Sequence, residues 1–224
     1  HFKQHRGNTK YIRVIWKVNI KTKKYNEVQK EYDTAYRHGV PFKNPEWFIK
    51  RIKKVIEKEK HEGKLLDVAC GDGHFLSHFL GYSIYGVDIS KEAIKSAQKN
   101  TKGAFYVSKA EKLPFSSNMF DFITCMGSLE HFVDMDMALG EMKRVAKPGG
   151  LVVIHVPNSK YLVHKILGVD THHQVNERFA EEDEWISIMS KYFSVEKTIK
   201  YNTRWFLDIL PKRYSCHFTF VCRA

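Results

Sequence analysis

Ten residues, Lys64 to Gly73 (KLLDVACGDG), constrain this chain more than any other stretch. Leu65 to Ala69 form a short apolar run interrupted by one acid, Asp67, and the run is broken by Gly71 and Gly73. An apolar run of that length leading into a glycine pair reads as a buried strand entering a tight loop. Phe75, Leu76, Phe79 and Leu80 follow at helical spacing, which predicts a helix opening from the loop. Strand, glycine turn and helix start together form a pocket for a nucleotide-like ligand, because glycine lets a ligand approach the main chain with no β-carbon in the way.

At 224 residues with 43% hydrophobic content, the chain can bury a full core in one α/β domain. No apolar run reaches the roughly 18 residues that a membrane span needs, and no basic-then-apolar leader is seen, so a cytoplasmic protein is expected. Cys70, Cys125, Cys216 and Cys222 lack CxxC spacing and read as reduced, partly buried small residues. The charge is uneven: residues 1–60 hold 17 Lys/Arg against 6 Asp/Glu, and the other 164 hold 20 against 19. Such a segment attracts nucleic acid or another anion, or is simply a solvated lysine-rich face.

Taken in order, Ile12, Val14, Trp16, Val18 and Ile20 alternate with polar residues, Ile15 being the one misfit, and predict an accessory strand over 11–20. Asn26 and Gln29 have capping-box spacing, so a helix is expected to about Tyr36, with Val28, Tyr32 and Tyr36 on one face. Asn44-Pro45 starts a second helix with a stripe of Phe48, Ile49, Ile52, Val55 and Ile56. After the organising strand, further strands are expected at 82–87, 104–107, 120–125 and 151–156, with helices capped by Ser90 and Asp134 between them. This alternation means βαβ units and a parallel sheet. Residues 157–178 read as a loop or lid containing His164, His172 and His173. A helix over 180–192 and strands over 194–200 and 216–221 follow, the strands joined by a helical segment over 205–210.

The neighbours of the glycine turn select its ligand. The dinucleotide fingerprint G-x-G-x-x-G needs a third glycine where this chain has Leu76. A pyrophosphate would sit badly beside the carboxylates of Asp67 and Asp72, whereas a ligand carrying a sulfonium and an ammonium would not. Asp67-Val68-Ala69-Cys70-Gly71-Asp72-Gly73 resembles the first motif of the class I S-adenosylmethionine-dependent methyltransferases, in particular the methyltransferase type 11 group, with Ala69 in place of the first glycine. Asp88, in Tyr85-Gly86-Val87-Asp88-Ile89-Ser90, resembles the acid of that family's second strand, whose carboxylate accepts the two ribose hydroxyls. The likeness extends through Lys109-Ala110-Glu111-Lys112-Leu113-Pro114-Phe115, Phe120-Asp121, Ser128-Leu129-Glu130-His131 and Lys147-Pro148-Gly149-Gly150, in order and at family spacing. One departure is Lys109, which can only donate where many relatives have an aspartate that accepts from the adenine amine.

The resemblance implies a doubly wound, seven-stranded Rossmann-like α/β sheet with its last strand antiparallel. It divides the chain into a basic N-terminal extension with a cofactor-covering helix (1–40) and a methyltransferase domain (41–224). It also implies S-adenosylmethionine as cofactor, contacted by Asp67, Ala69, Gly71, Gly73, Asp88, Ile89, Ala110, Glu111, Met126 and Ser128, with Tyr32 and Tyr36 covering it. The family has no universal catalytic residue, so His131, His172 and His173 are the candidates to meet substrate or take a proton. Packing alone would also account for the two tyrosines, and a structural hydrogen bond for His131. Asn158 is a further candidate, and His155, alternating within a buried strand, reads as a core histidine. Some relatives hold a metal at the site matching Glu130-His131, but they carry a second Glu where this chain has Gly127, so no metal is expected.

The expected function is methyl transfer to a small-molecule acceptor at oxygen or nitrogen. An RNA methyltransferase using the basic first 60 residues ranks behind it, because that segment has few matched aromatics and no recognisable RNA-binding module. A non-catalytic protein that keeps the cofactor pocket is the third reading.

Overall fold

The computed structural model describes residues 25–39, 44–159, 180–202 and 215–224. The strand expected over 11–20, His164, His172 and His173, and the helical segment over 205–210 lie outside the described residues.

Seven strands form one sheet in the order β3-β2-β1-β4-β5-β7-β6. They are β1 (Lys64–Val68), β2 (Ser83–Asp88), β3 (Ala104–Val107), β4 (Phe120–Met126), β5 (Ala146–Pro157), β6 (Ser194–Tyr201) and β7 (His217–Arg223). β1 to β5 pair in parallel, and β7 runs antiparallel to both β5 and β6. The expected sheet, with its antiparallel last strand, is the one observed. The order reverses beside β1, so the carboxyl ends of β1 and β4 part and leave a crevice above them.

The helices cover both faces. α1 (Tyr25–Arg37), α2 (Glu46–Glu57), α3 (Lys91–Asn100), α4 (Met135–Val145) and α5 (Glu182–Met189) account for the regular helix among the described residues. α2 buries Phe48, Ile49, Ile52 and Ile56 against Leu65, Ile84, Phe122 and Val153. At about 1.5–3 kcal/mol per fully buried side chain, that stripe supplies on the order of 10 kcal/mol before conformational entropy is subtracted. The other face packs Leu66, Val68, Ile123, Val152 and Ile154 under α4 and α5, with Trp185 wholly buried. Successive strand residues face opposite layers, so Leu65 and Leu66 belong to different clusters.

Ser90 and Asp134 cap their helices as expected, their side-chain oxygens accepting from Ala93 N–H (3.1 Å) and Met137 N–H (2.9 Å). Asn26 does not form a capping box; it lies inside α1, and its expected partner Gln29 instead donates to the Ile89 carbonyl at 2.7 Å. α2 begins after Pro45 with no side-chain cap.

The helix expected after the glycine turn is largely missing. The crossover from β1 to β2 contains only a 3-10 turn, Leu76–His78. Phe75, Leu76 and Phe79 are buried below α2, but Leu80 is 88% exposed. The chain must turn at Gly81 (φ 105°) to reach β2 at Ser83, which leaves no room for a second helical turn. Pro148-Gly149-Gly150 lies inside the long strand β5, which begins at Ala146, directly after α4.

Candidate functional site

The turn after β1 takes its shape from three residues in left-handed backbone conformations: Ala69 (φ 62°), Gly71 (φ 55°) and Gly73 (φ 75°). Ala69 occupies a conformation that costs a residue with a β-carbon about 1 kcal/mol or more, which is why a glycine suits this position. At Gly71 a β-carbon would lie 2.6 Å from the Tyr36 hydroxyl, so α1 closes over the turn only because that side chain is absent. Gly73 instead packs against Ala97 of α3, and its carbonyl accepts from Thr101 Oγ1 at 3.0 Å.

Asp67 and Asp88 stand near the carboxyl ends of adjacent strands β1 and β2 and are 2% and 7% exposed. Asp67 accepts from Thr124 Oγ1 at 2.7 Å; burial, opposed by that hydrogen bond, pushes its carboxyl up to about 7. Asp88 accepts from Gly71 N–H and Ser90 N–H, both at 2.9 Å. Burial raises it to about 6 against those two donors. Each Asp88 oxygen holds one backbone donor and retains acceptor capacity for another. Both carboxylates carry a desolvation cost that a cationic or multiply donating ligand would relieve.

α1 is held over this site by an acid that carries no signal in the sequence. Asp33 Oδ1 accepts from Ser90 Oγ (2.7 Å) and Glu92 N–H (3.2 Å), and with the Gln29–Ile89 bond it fixes α1 against the start of α3. Tyr32 and Tyr36 thereby face the crevice. Burial, reinforced by the carboxylates of Asp88 and Asp72, pushes the Tyr36 phenol above its usual range, so it remains a donor.

The result is one open cleft. It gathers Tyr32, Tyr36, Asp67, Ala69, Gly71, Asp88, Ile89, Ala110, Glu111, Met126, Ser128 and His131. Of the expected contacts among the described residues, Gly73 stands apart from the lining. Tyr25, Phe75, Phe132 and Val133 join the wall without having been expected there. Phe132 and Val133 directly follow the Glu130-His131 pair, and that adjacency is a usable signal; Tyr25 carries none. Lys109, the departure from the family pattern, places its ammonium 3.4 Å from the centre of the Tyr25 ring, a cation–π contact at the mouth of the cleft. Glu111 accepts from Asp134 N–H at 3.1 Å and so ties the loop after β3 to the start of α4.

The remaining candidates separate. His131 is 7% exposed and lines the cleft, its Nε2 3.7 Å from Glu130 Oε1. Glu130 is buried; desolvation raises its carboxyl to about 8, and its Oε2 has no hydrogen-bond partner among the described residues. His155 is a core histidine, as its alternation suggested. Its Nδ1 lies 3.1 Å from Thr219 Oγ1, its ring stacks with His217, and burial followed by His217 lowers its pKa well below the usual value. Asn158 donates from Nδ2 to the Ser215 carbonyl at 2.7 Å and is not among the described residues that line the cleft. Burial, with the nearby Asp88 and Asp67, pushes the Cys70 thiol well up, which leaves it a poor nucleophile despite its place in the lining.

Among the described residues, no helix is long and apolar enough to cross a membrane. Residues 66–154 match the family model described as methyltransferase domain. The demethylmenaquinone methyltransferase of Staphylococcus carnosus is 32% identical over 140 residues, covering 58% of this chain and 57% of that protein. That of Staphylococcus aureus is 33% identical over 138 residues, covering 58% and 56%. The chain thus spans less than three fifths of the length of these relatives. Two solved structures match at TM-score 0.67. One is the Burkholderia thailandensis 1,6-didemethyltoxoflavin-N1-methyltransferase, with bound 1,6-didemethyltoxoflavin and S-adenosylhomocysteine (17% identity, 92% of each chain). The other is the [4+2]-cyclase SpnF (16% identity, 92% of this chain and 98% of that one). At such identities the likeness is one of fold. The matched segment, Leu66 to Ile154, is the one that carries the glycine turn, both strand-end carboxylates and the Glu-His pair.

Proposed function

We propose that this chain binds S-adenosylmethionine in the cleft and transfers its methyl group to a small-molecule acceptor. The observation that carries this reading is the pair of buried carboxylates, Asp67 and Asp88, at adjacent strand ends on either side of a left-handed glycine turn. Asp88 would accept from the ribose hydroxyls, and Asp67 with the turn's main chain would face the cationic methionine portion. Tyr32 and Tyr36 close the cofactor from above.

Methyl transfer is an in-line displacement. The acceptor's lone pair forms a bond to the methyl carbon as the carbon–sulfur bond breaks, and a neutral thioether leaves. The protein must align the two and, for an acceptor bearing a proton, remove it. His131, at the cleft wall, is the candidate base. Phe75, Met126, Phe132 and Val133 give the lining an apolar part suited to a ring system. The relatives named for demethylmenaquinone and 1,6-didemethyltoxoflavin act on ring compounds, which supports an acceptor of that kind. A cyclase shares the fold, so the fold alone does not choose the reaction.

The test is incubation of the purified chain with methyl-labelled S-adenosylmethionine and a fractionated small-molecule extract, with a parallel tRNA arm. Label entering an organic-soluble product supports the proposal. Label in tRNA alone would replace the acceptor, and cofactor uptake without turnover in either arm would leave only a binding protein.

A further inference from the structure

A second constellation lies at the rim of the cleft. Glu46, the first residue of α2, faces two histidines from the turn after β1. His78 Nε2 lies 3.5 Å and His74 Nε2 3.9 Å from the same oxygen, Glu46 Oε1. One ligating atom from each of the three residues falls within 4.8 Å of the others. The imidazole rings are nearly perpendicular (87°), with centroids 5.2 Å apart.

A simple ion pair would explain one histidine beside Glu46, at little energetic gain for an exposed carboxylate. It does not explain two imidazoles converging on one oxygen. The separations do suit a shared ion: with metal–nitrogen bonds of about 2.0–2.1 Å and tetrahedral angles, neighbouring donors sit roughly 3.3 Å apart. Glu46 is 58% exposed, and side-chain rotation of Glu46 and of the two partly exposed histidines brings the three ligating atoms, all within 4.8 Å, to that spacing. The histidines are better anchored. His74 N–H donates to Asp72 Oδ1 at 3.0 Å, and the His74 carbonyl accepts from Ser77 Oγ at 2.7 Å, so the turn that carries both rings is braced.

We propose that Glu46, His74 and His78 bind a divalent transition metal of the zinc class, with water completing the shell. Two imidazole nitrogens and a carboxylate favour zinc, cobalt or nickel over magnesium or calcium, which prefer all-oxygen shells. Bound there, the ion fastens the start of α2 to the turn that bears Gly71 and Gly73. His74 and Asn44 both line the cleft, so the fastening fixes one edge of it. The site stands whether or not the methyl-transfer reading holds.

The test uses the untagged chain stripped with a chelator, then titrated with Zn²⁺ against a chromophoric indicator and with Co²⁺ followed by visible absorption. Glu46→Gln and His78→Ala are compared with the wild type, each first shown to melt unchanged without metal. The expected result is one equivalent of Zn²⁺ that raises the wild-type melting temperature, with each variant weakening binding by roughly tenfold or more. Co²⁺ ligand-field bands should appear in the wild type and be lost in His78→Ala. No saturable uptake at micromolar Zn²⁺ would overturn the proposal. So would uptake that both variants retain, which would place the ion elsewhere, or a preference for Mg²⁺ over Zn²⁺.

Discussion

Replacing Asp67 by Asn separates what the site costs the fold from what it gives the ligand. Asp67 is 2% exposed, and burial lifts its carboxyl from 3.8 to about 7 in the folded chain. A folded pKa above the unfolded one means that the native state holds the proton longer, so this group's contribution to stability falls as pH rises from about 4 to about 7. At about 1.4 kcal/mol per pKa unit, the full cost of ionising it in place is ~4 kcal/mol. Some of that is already present at pH 5, and about 2–3 kcal/mol more develops between pH 5 and pH 8. Asparagine keeps an oxygen to accept from Thr124 Oγ1 but has no charge to bury. Urea unfolding of the ligand-free chain at pH 5 and pH 8 reads the difference directly. Asp67→Asn should gain about 2–3 kcal/mol relative to wild type between those two pH values, while losing affinity for S-adenosylmethionine. A stability gap that stays constant with pH would show that Asp67 is not held protonated by burial, and a cationic ligand would then have no desolvation cost there to relieve.

Ala69→Gly relaxes a left-handed alanine (φ 62°) and should raise stability by about 0.5–1 kcal/mol, read from the urea midpoint. Gly71→Ala puts a β-carbon 2.6 Å from the Tyr36 hydroxyl in a φ 55° conformation, so it should cost about 1–3 kcal/mol. Adding Tyr36→Phe should return only part of that loss, because the backbone strain remains. Glu130→Gln removes a buried carboxyl that titrates near 8, raised from 4.5. By the same sign rule, its thermal stability relative to wild type should improve from about pH 5 to about pH 8 and level off above that.

Most of the sheet was legible because its signals are local. Leu65 to Val68, Phe120 to Met126 and Leu151 to Val156 are mostly apolar runs of strand length, and Ser90 and Asp134 mark helix starts with oxygens that cap them. The failed helix after Gly73 shows the limit of periodicity. Phe75, Leu76 and Phe79 are buried as a helical stripe would have them, but the distance to β2 set the geometry, and Leu80 turned outward. The cleft wall was readable where a motif sits at a strand end, as at Asp67 and Asp88, or in the turn that follows one, as at His131. It was not readable where a helix far along the chain supplies the partner. Asp33 reaches Ser90 and Glu92, Tyr25 meets Lys109, and Glu46 meets His74 and His78; no spacing in one sequence encodes those pairings.

The most direct measurement is calorimetric titration of S-adenosylhomocysteine into the purified wild-type chain and into Asp88→Ala, with both shown by melting to be folded. One equivalent should bind to the wild type, and the variant, lacking the carboxylate that Gly71 and Ser90 hold in place, should bind at least about tenfold more weakly. No heat of binding in the wild type, or equal affinity in the two proteins, would contradict the assignment of this cleft to the adenosine-bearing cofactor.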